Sequence, residues 1–96
     1  MASLIYARRA LRSFERLVDF AEDRGITPST VVDVITDAVS VLARHPLIGR
    51  VAEHPFRELV ISHGKSGYIA LYRYDQAADR VIVVAIRAQR EAGYRS

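Results

Sequence analysis

Apolar residues recur along this chain with two different periods, and the change from one to the other falls near its middle. A short apolar segment at 3–6 reads as an edge strand. After it, Ala7, Leu11, Phe14, Val18 and Ala21 recur at spacings of three and four, with Leu17 widening the stripe. That spacing predicts one buried face of a helix. Arg8, Arg9, Arg12, Glu15, Arg16 and Asp19 lie largely off the stripe, and Gly25 is placed to end the helix in a left-handed turn. Thr27-Pro28 starts a second helix. Threonine suits the N-cap, and proline suits the first turn, where its missing N–H has no partner to lose. Val31, Ile35, Ala38 and Leu42 form the main stripe; Val32, Val34 and Val39 broaden it. So many β-branched residues favour a strand on propensity alone. The cap, the period and the length of the segment before Pro46 favour the helix.

Beyond Pro46 the period drops towards two. Residues 46–55 read as a loop, 56–62 (FRELVIS) as a strand, and 63–67 as a turn. In the strand 68–74, Tyr68, Ala70, Tyr72 and Tyr74 face one side, and Ile69, Leu71 and Arg73 the other. A turn at 76–79 leads to 80–87, the most apolar strand (VIVVAI), which belongs at the centre of the sheet. Short connections between consecutive strands predict an antiparallel meander. The fold class is α+β: an N-terminal strand, an αα-hairpin, then a three-stranded antiparallel meander, with the helices packed on one face of the sheet.

The chain's 96 residues suit a single domain, 1–96. A core this small is marginal alone, so a partner that binds only the folded state adds stability. The absence of cysteine excludes disulfides and thiolate metal sites and fits a reducing cytoplasm. No apolar run reaches the roughly 18–20 residues of a membrane span. The first residues carry no signal-peptide pattern, so the expected location is cytoplasmic. His45, His54 and His63 are scattered over loops without metal-ligand spacing, and Gly64 and Gly67 read as turn residues rather than a phosphate loop. No metal and no cofactor is expected. The formal charge is +3, from 14 Lys+Arg against 11 Asp+Glu, and Lys65 is the only lysine. Arginine makes planar, bidentate contacts to phosphates and carboxylates. The charge suits nucleic acid, an acidic protein segment, or solubility alone.

Several segments, in order, resemble the toxins of the RelE/ParE superfamily of bacterial type II toxin–antitoxin pairs. They are His45-Pro46-Leu47-Ile48-Gly49-Arg50, then Arg57-Glu58-Leu59-Val60-Ile61, then Ser66-Gly67-Tyr68-Ile69-Ala70-Leu71-Tyr72-Arg73, and the closing Arg87-Ala88-Gln89-Arg90-Glu91-Ala92-Gly93-Tyr94. The resemblance covers essentially the whole chain. It implies a growth-inhibiting toxin, of a kind used in plasmid stabilization, held inactive by a cognate antitoxin whose segment wraps the hairpin and sheet. Operator DNA would be contacted only through the antitoxin.

RelE-like members cut mRNA on the ribosome without a metal, using basic side chains and often a tyrosine or histidine. ParE-like members poison DNA gyrase and need no catalytic group. Where a RelE-like toxin carries an arginine after the Gly-Tyr turn, this chain has Ile69, and the preceding strand offers Arg57 and Glu58 instead of lysines. Arg90 and Tyr94 match a RelE-like Arg/Tyr pair at a compressed spacing. The departures favour the ParE-like branch and DNA gyrase as target. The alternatives are a ribosome-dependent mRNA endonuclease, with Arg90, Tyr94, Arg73 and His63 as catalytic candidates, and a non-toxic remnant that only binds antitoxin.

Arg57, Arg73, Arg87, Arg90 and Tyr94 are the candidate partner-binding residues; a solvated face with ordinary ion pairs accounts for any single arginine as well. The tyrosine row Tyr68, Tyr72 and Tyr74 suits packing across strands more than stacking on bases. The basic face of the first helix, Arg8, Arg9, Arg12 and Arg16, is interleaved with acids and reads either as a solvated face or as a contact surface.

Overall fold

The computed structural model describes residues 1–63 and 66–89. Along it run β1 (Ser3–Tyr6), α1 (Arg8–Glu22), α2 (Pro28–Ser40), a 3-10 turn (Val41–Ala43), β2 (Arg50–Val51), β3 (Phe56–His63), β4 (Ser66–Asp75) and β5 (Arg80–Ala88). The expected α+β architecture is present, and the sheet is larger than the sequence suggested. Its order is β1-β5-β4-β3-β2. The meander β3–β4–β5 is antiparallel, β2 adds a two-residue antiparallel edge inside the expected loop, and β1 joins the far edge parallel to β5. The VIVVAI strand therefore lies one place off centre. The middle strand is β4, because β1 is the only strand beyond β5 whereas β3 and β2 both lie beyond β4.

Helix α1 ends where the glycine predicts. Gly25 takes φ 75°, its N–H donates to Glu22 O, and the Ile26 N–H reaches back to Ala21 O. This is the paired bonding of a Schellman turn, with the following apolar residue packed on the core. Pro28 opens α2 as expected; Thr27 stands at the cap position, but its hydroxyl makes no capping bond.

The core lies between the helices and one sheet face. Tyr68, Ala70 and Tyr72 from β4 and Val81, Val83, Ile86 and Ala88 from β5 meet Leu17 of α1, Val31, Ile35 and Val39 of α2, and Leu42. Each such Leu or Ile side chain contributes about 1.5–3 kcal/mol when fully buried. The helix faces differ from the sequence reading. In α1 the buried positions are Ala10, Ser13, Leu17 and Ala21, Phe14 and Val18 are half-buried, and Leu11 is 54% exposed. Leu11 sits about 120° round the helix from Leu17. In α2, Val39 replaces Ala38 in the buried stripe.

The rotation of α1 has a local cause in β5. Opposite β4, Leu71 faces Ala85 but Tyr72 faces Val83, so Val84 is an extra residue on β5. Such a bulge switches which side chains point inward. Val81 and Val83 face the core before it, Ile86 and Ala88 after it. Pairing with β1 also stops at Val83, and α1 takes over that edge. The Ile86 N–H donates to Ser13 Oγ at 3.1 Å, and Arg16 Nη2 donates to Ile86 O at 3.1 Å. A serine in the helix interface is needed to satisfy a sheet N–H that would otherwise be buried unpaired.

Candidate functional site

The sheet face away from the helices is open and mixed in character. The registers place Ile5, Ile82, Leu71, Phe56 and Val60 on it, along with Glu58, Arg73 and Arg87. Ile5 and Val60 are each 44% exposed. Glu58 accepts from Arg50 at 3.0 Å and faces Arg87 at 3.7 Å, so one carboxylate links β2 to β5 across β4. Both guanidiniums remain substantially exposed, and exposed pairs of this kind contribute about 0–1 kcal/mol.

Where α1 replaces β1 along the β5 edge, a groove of about 380 Å³ opens. One wall is the α1 row Arg9, Arg12 and Arg16; the floor is Ile69, Leu71 and Ala85; Arg87 stands on the sheet side. The arginines reach this position because Ser13 must face Ile86. That turns residues 9, 12 and 16 towards the rim of the open face. Arg16 is anchored there by its bond to Ile86 O.

The opposite side of the sheet is finished by the 46–49 loop. Tyr72 is fully buried, and its hydroxyl donates to Pro46 O at 2.8 Å and accepts from the Gly49 N–H at 2.9 Å. Burial raises the Tyr72 pKa; the Gly49 N–H and the nearby Arg57 charge pull weakly the other way. The hydroxyl thus stays protonated and able to donate. Arg57 Nη1 donates to Leu47 O at 3.1 Å and Gly49 O at 2.8 Å. Gly49 leaves no room for a side chain: a Cβ would fall 2.6 Å from Tyr72 Oη and 2.8 Å from Glu58 O. The loop so held presents Leu47 and Ile48, each 57% exposed.

The described candidate residues do not converge. Arg57 is occupied in the loop, and Arg87 lies in the groove. Arg73 pairs with Phe56 at one end of the β3–β4 ladder and His63 with Ser66 at the other. Seven residues of strand separate them, about 23 Å. Arg90 and Tyr94 lie outside the described residues. Of the tyrosine row, Tyr68 and Tyr72 are core residues, as packing required. Tyr74 donates to Asp79 Oδ1 at 2.6 Å, and that bond, ahead of desolvation, raises its pKa. Among the described residues no group of three His, Asp or Glu is placed to hold a metal. No helix of the described residues is long and apolar enough to cross a membrane. Sequence reasoning missed Ser13 and Gly49. The signals were a serine at helical spacing between Ala10 and Leu17 and a glycine next to the loop's apolar pair.

Comparison with known proteins is consistent with this architecture. The family described as "ParE toxin of type II toxin-antitoxin system, parDE" matches residues 4–93. A chain of the chromosomal ParDE system from P. aeruginosa superposes with a TM-score of 0.67 at 21% identity, covering 90% of this chain and 94% of that one. A chain of the intact E. coli RelBE complex gives 0.65 at 19% identity, with 90% and 94% covered. A chain of the RelBE2 complex from Mycobacterium tuberculosis gives 0.60 at 19% identity, covering 90% and 88%. No curated protein sequence matches. At these identities the solved structures establish the fold, and the family match spans most of the chain.

Proposed function

The chain belongs to the ParE toxin family of type II toxin–antitoxin systems, and from that premise we propose that it acts by binding, with DNA gyrase as its target and its antitoxin as the protein that neutralises it. One observation carries the choice of binding over catalysis. The described candidates for a nuclease, His63 and Arg73, stand at opposite ends of the β3–β4 ladder. A general base and the cation that stabilises the phosphate have to reach the same reacting group, each within about 3 Å of it. Two further groups of the right type are committed elsewhere. Tyr72 and Arg57 are spent on the 46–49 loop. Ile69, where an arginine would balance phosphate charge, is an aliphatic floor residue of the groove.

In this reading the toxin occupies a protein surface on gyrase and blocks replication by stalling the enzyme on cleaved DNA. The antitoxin competes by covering the toxin, and operator DNA is met only through the antitoxin. The test is a supercoiling and cleavage assay with purified toxin, gyrase and relaxed plasmid. Loss of supercoiling with accumulation of protein-linked linear DNA is expected. Normal supercoiling in the presence of folded toxin in excess, together with translation-dependent cuts in mRNA, would replace this reading with the ribosome-dependent nuclease.

A further inference from the structure

The sheet has two edges, and they are defended differently. The β2 edge is two residues long and carries Arg50. A short, charged edge strand resists pairing with another chain. The β1 edge is four residues long, Ser3-Leu4-Ile5-Tyr6, with no charge, no proline and no bulge. Such a strand is a template for a further strand.

The hydrogen bonds fix what this edge offers. The Ser3 N–H donates to Asp79 O at 3.0 Å and the Ala7 N–H to Val83 O at 2.9 Å, both towards β5. Backbone groups alternate in direction along a strand, so Ser3, Ile5 and Ala7 face β5, and the N–H and C=O of Leu4 and Tyr6 point outwards. At one end this free stretch is closed by the Ala2 N–H, which donates to Ala43 O at 2.8 Å; at the other, α1 begins at Arg8.

The pattern is complementary to itself. If a second copy of β1 lies antiparallel with the two Ile5 residues opposite each other, Leu4 faces Tyr6 of the second copy and Tyr6 faces its Leu4. A hydrogen-bonded antiparallel pair exchanges both of its bonds, so these two pairs use all the outward groups of both copies. Ile5 falls on the two-fold axis as the pair without hydrogen bonds, where Cα atoms are about 4.5 Å apart. Its side chain, 44% exposed on the open face, gains an apolar neighbour there. Leu4 and Tyr6, which pack against the core, meet on the side of the helices. The first charge beyond the pairing is Arg8, three residues from the axis. At strand spacing its two copies stand about 20 Å apart, beyond the roughly 10 Å over which salt screens charge.

We propose that the chain, when free of antitoxin, pairs with a second copy of itself through β1, joining two five-stranded sheets into one about a two-fold axis at Ile5. A two-fold contact presents the same patch on both partners, and this edge meets that requirement with residues from one strand. The inference is independent of the choice of gyrase as target.

The experiment uses the full chain separated from antitoxin, with the fold of each variant checked by thermal melting. Sedimentation velocity over roughly 5–500 μM covers the range of a small, transient interface. Salt is kept high enough to screen repulsion between copies of formal charge +3. A shift from monomer to dimer is expected, abolished in Ile5→Lys, which sets two ammonium groups opposite each other. Leu47→Ser/Ile48→Ser, at the other edge, is expected to leave the shift unchanged. The register is read by cross-linking. The sequence has no cysteine, so Ile5→Cys introduces the only thiol. A Cα separation of about 4.5 Å lies within the disulfide range. Mild oxidation is therefore expected to link Ile5→Cys into a covalent dimer, and to leave Ser3→Cys unlinked, its two copies being about 14 Å apart. A monomer throughout the concentration range would overturn the proposal. A dimer that persists in folded Ile5→Lys, or that links equally through Ser3→Cys, would place the contact elsewhere and overturn it too. A monomer whose binding to antitoxin is weakened by Ile5→Lys would give the edge to the antitoxin instead.

Discussion

The two sides of the sheet are finished by opposite means. On the β5 side a helix is brought in, and its polar side chains, Ser13 and Arg16, bond the strand's edge backbone at Ile86. On the β3 side an irregular loop is brought in, and side chains of the sheet, Tyr72 and Arg57, bond the loop's backbone at Pro46, Leu47 and Gly49. The first arrangement leaves arginines around a groove; the second leaves Leu47 and Ile48 exposed on a fixed support. Both satisfy backbone groups with side chains, as buried polar groups require. They differ in what they present: a charged recess on one side and an apolar projection on the other. A small toxin that must meet both an antitoxin and a target gains two chemically distinct surfaces from one five-stranded sheet.

The comparison can be broken most severely at Gly49. Gly49→Ala places a Cβ against Tyr72 Oη and the Glu58 carbonyl, and is expected to cost about 3 kcal/mol in urea unfolding, the upper range for overpacking. Tyr72→Phe should cost about 2 kcal/mol, because it strands the Pro46 carbonyl and Gly49 N–H while keeping the ring. Its counterpart on the other side, Ser13→Ala, leaves only the Ile86 N–H unpaired and should cost about 1.5 kcal/mol. If Ser13→Ala proved costlier than Tyr72→Phe, the helix-closed edge would be the more critical of the two.

A smaller effect comes from pH. The Tyr72 pKa is raised from the ordinary value of 10.0 chiefly by burial. A raised folded value means that the neutral hydroxyl's contribution is complete below pH 10.0 and is lost as pH rises through the folded value. Wild-type stability should therefore fall more steeply above that pH than that of Tyr72→Phe, measured as urea midpoints across the alkaline range. The smallest expected change is in Leu47→Ser/Ile48→Ser. It should alter stability by less than about 0.5 kcal/mol, as for other surface sites, measured as the shift in urea midpoint.

Much of this could be read from the sequence where the determining interactions are local. Gly25, Pro28 and Pro46 bound the helices because their backbone constraints act within a turn. The tyrosine row reads inward because alternation is a property of one strand. The parallel pairing of β1 with β5 joins residues more than seventy apart, and no local signal announces it. The bulge at Val84 is similarly hidden in a run where every residue is apolar, since alternation cannot be seen without polar positions to mark it. The misplaced face of α1 follows from the same cause. Leu11 looked like a core residue and is 54% exposed, while Ser13, which the stripe passed over, is buried with its hydroxyl on the Ile86 N–H. Of the site, the basic side of α1 was evident in the sequence, whereas its position beside the open sheet face depended on that rotation.

The extra residue at Val84 also makes β5 a joint. Residues before it are timed to β1, and residues after it are timed to α1, with the pleat half a period out of step between them. The α1 wall of the groove is therefore tied, through Ser13 and Arg16, to the part of β5 that lies beyond the offset, whereas Val81 and Val83 belong to the part held by β1.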